Sequence, residues 1–165
     1  MVRISDEPPV EGLPTSDEIE AFQRGARDLI GVALRSLEVL AGEVSLPQFR
    51  MLLALNDLGR CPSSHVAQAL GLGASSVTRL ADRLHASGHI ERGADEHHRS
   101  VVALELTERG RRLVDQVLAW RHQEFARILS RLDPGERAAT AAGLRAFHAV
   151  VGDAYAADLH GPVPL

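Results

Sequence analysis

Lysine is absent from this chain, and all 18 of its basic residues are arginine. That bias reads as the codon usage of a GC-rich genome and carries little about mechanism. Cysteine occurs once, at Cys61, which excludes an intrachain disulfide and any multi-cysteine zinc site and leaves a small loop residue as the plain reading. No apolar run approaches the roughly 18 residues of a membrane span, and the opening stretch MVRISDEPPVEGLPTSDE is acidic and proline-rich rather than signal-like. A cytoplasmic protein is expected. Glycine-rich phosphate loops, nucleophile elbows and HExxH pairs are missing too, so an enzyme is the weakest class of reading and no cofactor is expected. His97 and His98 stand near Asp95 and Glu96, but adjacent ligands on a polar loop lack the spacing of a tetrahedral site, so no metal is expected.

What is present fits one domain, or one domain with an added helical arm: 165 residues, 45% of them hydrophobic. A net charge of -4 argues against a protein that coats nucleic acid indiscriminately. The charge is unevenly placed, however. Between Arg60 and Arg112 the arginines outnumber the acids, and His65, His85, His89, His97 and His98 lie there as well. Any binding to DNA would rest on positioned contacts and fall with salt.

The stretch from Gly73 to Thr107 is the informative one. Val77, Leu80, Ala81 and Leu84 share one stripe of a helix, which leaves Ser75, Ser76, Thr78, Arg79, Asp82 and Arg83 on the rest of the cylinder. Small hydroxyls and two arginines suit the floor of a DNA major groove, although such a face also fits plain solvation. The helix before it, Ser63 to Leu70, is closed by Gly71 and carries Val66, Ala69 and Leu70 inward, so the pair reads as a helix-turn-helix, with an ordinary helical hairpin as the alternative. The hairpin that follows favours the first. Gly88 ends the helix, His89 to Arg92 form a short strand, and Val102, Leu104 and Leu106 are expected to alternate inward with Ile90 on the returning strand. Between the strands, a polar loop from Gly93 to Arg99 could place Arg99 in a minor groove.

Residues 1–14 read as a flexible arm. Thr15 and Glu18 then make a capping box for a long amphipathic helix expected to run to about Gly42. Ser45 and Gln48 open a second helix, with Pro47 in its first turn and Phe49, Leu52, Leu53 and Leu55 on its way to Gly59, after which residues 59–62 read as a turn. Thr107 caps a further helix carrying Val114, Val117, Leu118, Arg121, Phe125, Ile128 and Leu132 on one face. Asp133, Pro134 and Glu136 start the last, with Leu144, Phe147, Val151 and Tyr155 in line, and residues 157–165 form a tail. The expected fold is mainly α with a small β wing: a winged helix-turn-helix lobe over 45–106, flanked by helices over 15–42 and 107–156. Their apolar faces exceed what so small a lobe can cover, and a second copy of the chain is the economical partner.

The chain resembles the MarR family of transcriptional regulators over roughly residues 17–155. The residues that carry the likeness are Leu46 to Phe49, Val66 to Leu72, Ser75 to Leu80, Leu84 with Gly88, Arg92, Arg99, and Leu106–Thr107 with Gly110. Each piece is weak alone and the combination is specific. The resemblance implies a homodimer on a pseudo-palindromic operator in double-stranded DNA. It also implies repression, and release by a small-molecule effector or an oxidant. Carried over residue by residue, Ser75, Ser76, Thr78 and Arg79 match the base-reading start of the recognition helix, Arg83 a backbone contact and Arg99 the wing arginine. Ser63, Ser64 and His65 sit at the start of the preceding helix, where hydroxyls and free amides can hold a phosphate, and His97 and His98 fall on the wing.

One departure stands out. The family's Asp two before the wing arginine is His97 here, so either Asp95 braces the arginine from a shifted turn or the wing tip is looser; the His pair could also respond to pH. Cys61 lies away from the N-terminal helix where peroxide-sensing relatives keep their thiol, which puts thiol sensing in doubt. Trp120, Arg50, Arg35 and His122 are effector-pocket candidates by chemistry alone. A winged-helix protein-interaction module without operator specificity remains the alternative function.

Overall fold

The computed structural model describes residues 12–94 and 102–157, with side chains as far as residue 151. The chain runs through α1 (Ser16–Arg35), a 3-10 helix (Ser36–Leu40), α2 (Leu46–Leu58), β1 (Cys61–Pro62), α3 (Ser63–Leu70) and α4 (Ala74–Ala86). It continues with β2 (Ile90–Ala94), β3 (Val102–Leu106), α5 (Glu108–Leu129) and α6 (Pro134–Ala157). The expected mainly helical winged helix-turn-helix is the fold.

Helix starts sit where the sequence supplies a polar partner for the first free amides. Thr15 accepts from the Glu18 amide while Glu18 accepts from the Thr15 N–H. Gln48 Oε1 accepts from both the N–H and the hydroxyl of Ser45 at 2.8 Å. Thr107 Oγ1 accepts from the Gly110 amide, and Asp133 Oδ1 from the amides of Gly135 and Glu136.

The core is built around α2. From Phe49 to Leu55 every side chain but that of Arg50 is buried, because α2 is covered by α3, α4, β3 and α5 at once. Val66 and Leu70, Val77, Ala81 and Leu84, Ile90, Leu104 and Leu106, and Leu113, Val114 and Val117 complete it. The sheet has the order β1-β3-β2 with both pairings antiparallel. At the junction beneath the hairpin, Thr107 donates its hydroxyl to Gly88 O and its amide to His89 O. Gly110 lies so close that a Cβ there would stand 2.1 Å from His89 O.

Three expectations need correction. The first helix ends at Arg35, not near Gly42, because Ser36 turns its hydroxyl back onto Ala33 O at 2.6 Å and receives Arg121 Nε at 2.7 Å. The tighter 3-10 winding that follows swings Leu40 into the core, while the apolar stripe of α1 stays outside. Residues 61–62 form a strand rather than part of a turn, with Cys61 opposite Leu104, and this pairing buries Cys61. Val102 is 48% exposed, unlike Leu104 and Leu106, because it pairs with Ala94 where the hairpin runs past the core.

No residue of α1 is buried, and neither is any described side chain of α6. Ile19, Phe22, Leu29, Ile30 and Leu34 on α1 and Leu144, Phe147 and Val150 on α6 are exposed, and the rings of Phe22 and Phe147 meet at 5.4 Å. No described helix is long and apolar enough to cross a membrane. The greater part of the N-terminal arm, the C-terminal tail and the Tyr155 side chain lie outside what is described.

Candidate nucleic-acid interface

The second helix of the pair, α4, presents the face its sequence promises. Gly73 precedes it in an extended conformation, and the inward stripe of Val77, Ala81 and Leu84 leaves Ser75, Thr78, Arg79, Asp82 and Arg83 exposed with Ser76 half-buried. Thr78 Oγ1 donates to Ala74 O at 2.9 Å, which fixes its rotamer, and Arg79 lies along the helix with Nη2 3.4 Å from Ser76 Oγ. Pro47, Leu72, Ser76, Arg79, Leu80 and Arg83 line a shallow groove between the start of α2 and this face.

Charge pairing separates these arginines from the others around them. Arg60, Arg92, Arg109, Arg111 and Arg112 each hold a carboxylate. Among the described residues, neither Arg79 nor Arg83 has an acidic partner, so both remain available to an anion. The one acid on the face is neutralised from behind: Arg92 on β2 reaches Asp82 at 2.6 Å and donates to Thr78 O at 3.3 Å. That contact also fastens the hairpin to the recognition helix, a role the sequence did not disclose.

At the start of α3, Ser63 is half-buried and Ser64 and His65 are exposed. Pro62 at its N-cap supplies no capping side chain, so among the described residues its first amides have no side-chain cap. His97, His98 and Arg99 lie outside the described residues, as do Asp95 and Glu96. Of the effector candidates, Arg50 and Trp120 are half-buried and Arg35 and His122 are exposed. Among the described residues no group of His, Cys, Asp and Glu is assembled for a metal.

Sequence reasoning missed two further contacts around the interface. Arg60 lies across the sheet, with Nη1 3.2 Å from Glu105 Oε2 on β3 and Nη2 2.9 Å from Ala94 O on β2. Its partners are 34 and 45 residues away, and no local pattern marks such a bridge. Beneath the end of α4, His89 is fully buried, with Nδ1 2.8 Å from Ser87 Oγ and Nε2 3.1 Å from Glu43 Oε1. Arg109 donates to the same carboxylate oxygen through Nε and Nη2. The Arg109 hydrogen bond is the main cause that holds Glu43 below the usual carboxylate range, with His89 adding to it and burial opposing. Burial alone pushes the Cys61 thiol up.

The family model that matches this chain is that of the MarR family, over residues 43–99. The uncharacterized HTH-type transcriptional regulator YfiV of Bacillus subtilis (strain 168) is 30% identical over 135 residues, covering 81% of this chain and 84% of that protein. The HTH-type transcriptional repressor MdtR of the same strain is 34% identical over 93 residues, 56% of this chain and 60% of its own length. Among solved structures, the crystal structure of RV1404 from Mycobacterium tuberculosis is similar with a TM-score of 0.76 and 31% identity, covering 84% of this chain and 96% of that one. With its winged helix-turn-helix fold and this sequence likeness over most of its length, the chain belongs to the MarR family of transcriptional regulators.

Proposed function

We propose that the protein is a sequence-specific DNA-binding repressor that acts as a homodimer on a pseudo-palindromic operator and is released by a small-molecule effector. The observation that carries the reading is the exposed face of α4, where hydroxyls stand beside two arginines that have no acidic partner among the described residues and the face's one acid is neutralised by Arg92. In this reading Ser75, Ser76, Thr78 and Arg79 meet base edges in the major groove, and Arg83 meets a phosphate. Ser63, Ser64 and His65 hold a second phosphate at the start of α3. The hairpin enters the flanking minor groove with Arg99, and with His97 and His98 beside it.

Residues 45–106 serve as the DNA-binding lobe, and 15–42 with 107–156 as the dimerisation region. The sign of regulation is supported by the repressor MdtR among the relatives. A protein of this role works in the cytoplasm, on double-stranded DNA, with itself and an effector as its other partners.

The test is binding to DNA from the protein's own upstream region against a shuffled control, across a salt series. Selective binding with a steep salt dependence supports the reading. Equal binding to both DNAs, followed by failure of random-site selection, would leave a winged-helix protein-interaction module as the better account.

A further inference from the structure

Support for the hairpin from the core stops before the hairpin does. Leu104 and Leu106 face inward on β3, whereas Ala94 and its register partner Val102 are exposed. What holds this outer end is a side chain from the opposite edge of the sheet. Arg60, directly before β1, passes over β3, where it pairs with Glu105, and reaches β2, where Nη2 donates to Ala94 O. The path is kept open by small residues. A Cβ on Gly93 would lie 2.8 Å from Arg60 Nη2, and Ala103, which pairs with Gly93, is 2% exposed although it stands apart from the main core cluster. A buried alanine on the outer face of a sheet needs a cover, and by strand alternation it shares that face with Glu105, to which Arg60 is bonded. Arg92 meanwhile ties the same strand to α4 from the other side.

We propose that Arg60 is a positioning residue for DNA binding: its fork, laid over Gly93, fixes the pitch of the β2–β3 hairpin relative to α4 and so sets where the hairpin meets DNA. The proposal rests on the DNA-binding reading above. Arg60 and Glu105 are both more than a third exposed, at 38% and 39% of their side chains, so the bridge contributes little to global stability and its variants should fold. Geometry is what it supplies. One guanidinium nitrogen is committed to each strand, an arrangement that the single ammonium of a lysine cannot reproduce.

The experiment compares wild type, Arg60→Ala, Arg60→Lys and Gly93→Ala. Gly93→Ala keeps every charge but pushes the guanidinium from its seat, and its end is free enough to move without unfolding the sheet. Hydrogen exchange is measured on the free protein at residues 91–94 and 102–105, and affinity is measured for the selected DNA over a salt series. The expected result is faster hairpin exchange and about tenfold weaker binding in all three variants, with the salt slope of Gly93→Ala unchanged. Wild-type affinity in Arg60→Lys beside a loss in Arg60→Ala would overturn the proposal, since Arg60 would then act as a charge on DNA. So would exchange and affinity in Gly93→Ala that match the wild type. If the wild type selects no DNA sequence, the DNA-binding reading falls and takes this role with it, while the exchange rates still show separately whether the brace holds the hairpin.

Discussion

Arg79 and Arg83 are one helical turn apart on α4, and the proposed interface gives them different work. In the proposed complex Arg79, aligned by Ser76, meets base edges, where a good bidentate contact discriminates by about 1–3 kcal/mol. Arg79→Ala is therefore expected to lower affinity for the selected site about tenfold or more and to relax preference at one base position in each half-site, as read by binding to a panel of single-base variants. Arg83→Ala should weaken binding evenly across the panel and reduce the magnitude of the salt slope by about one.

Glu43 makes a prediction of another kind. Its carboxyl is held below the ordinary range in the folded protein, chiefly by Arg109, so its contribution to stability is fully present above the unfolded value of about 4.3 and is lost as pH falls through the lower, folded one. Glu43→Gln should cost stability at neutral pH and flatten the acid limb of a plot of urea midpoint against pH. Equal loss at pH 3 and pH 7 would show that the carboxylate's charge is not what the network uses.

At the scale of elements, the junction of α4, β2 and α5 leaves no room for variation. Thr107 caps α5 while bonded to Gly88 O and His89 O, and this draws the first turn of α5 so close to His89 that Gly110 has no space for a methyl group. Because the obstructing atom is a backbone oxygen with its own hydrogen bond, it cannot swing aside. Gly110→Ala is expected to destabilise the protein by about 2 kcal/mol or more, seen as a clear drop in melting temperature, whereas the same change at Gly25, where a Cβ meets nothing, should not.

Which elements were legible follows the same logic. Thr15, Ser45, Thr107 and Asp133 mark helix starts because capping is local, and the stripe of Val77, Ala81 and Leu84 shows because its period is local too. The two-residue strand at Cys61 is too short to have a period, and it exists only because β3 lies beside it. The break at Ser36 depends on Arg121, 85 residues on, and the burial of His89 on Glu43, 46 residues back. Of the proposed site, the reading face of α4 was visible from its residue types. Its electrostatic state was not, because the pairing of Asp82 with Arg92, and the lack of acidic partners for Arg79 and Arg83 among the described residues, are set by which strands pack against which helix.

For the whole molecule, the decisive feature is the apolar surface left by α1 and α6. Phe22 at 57% and Phe147 at 49% exposure touch each other, yet about half of each residue stays exposed, flanked by Ile19, Leu29, Ile30, Leu34, Leu144 and Val150. Two amphipathic helices with no buried side chain among their described residues gain little stability from one protomer, and in the proposed homodimer a second copy covers both stripes. Folding and association are then linked. The urea midpoint should rise with protein concentration, and Phe147→Asp should shift sedimentation from dimer to monomer while the lobe around α2 keeps its near-ultraviolet signal. Such a monomer retains an intact α4 but can engage only one half-site. Its affinity for a half-site should match that of one lobe of the wild type, and its advantage on the full operator should vanish. A Phe147→Asp variant that sediments as a dimer with full operator affinity would mean that α1 and α6 do not form the contact between protomers.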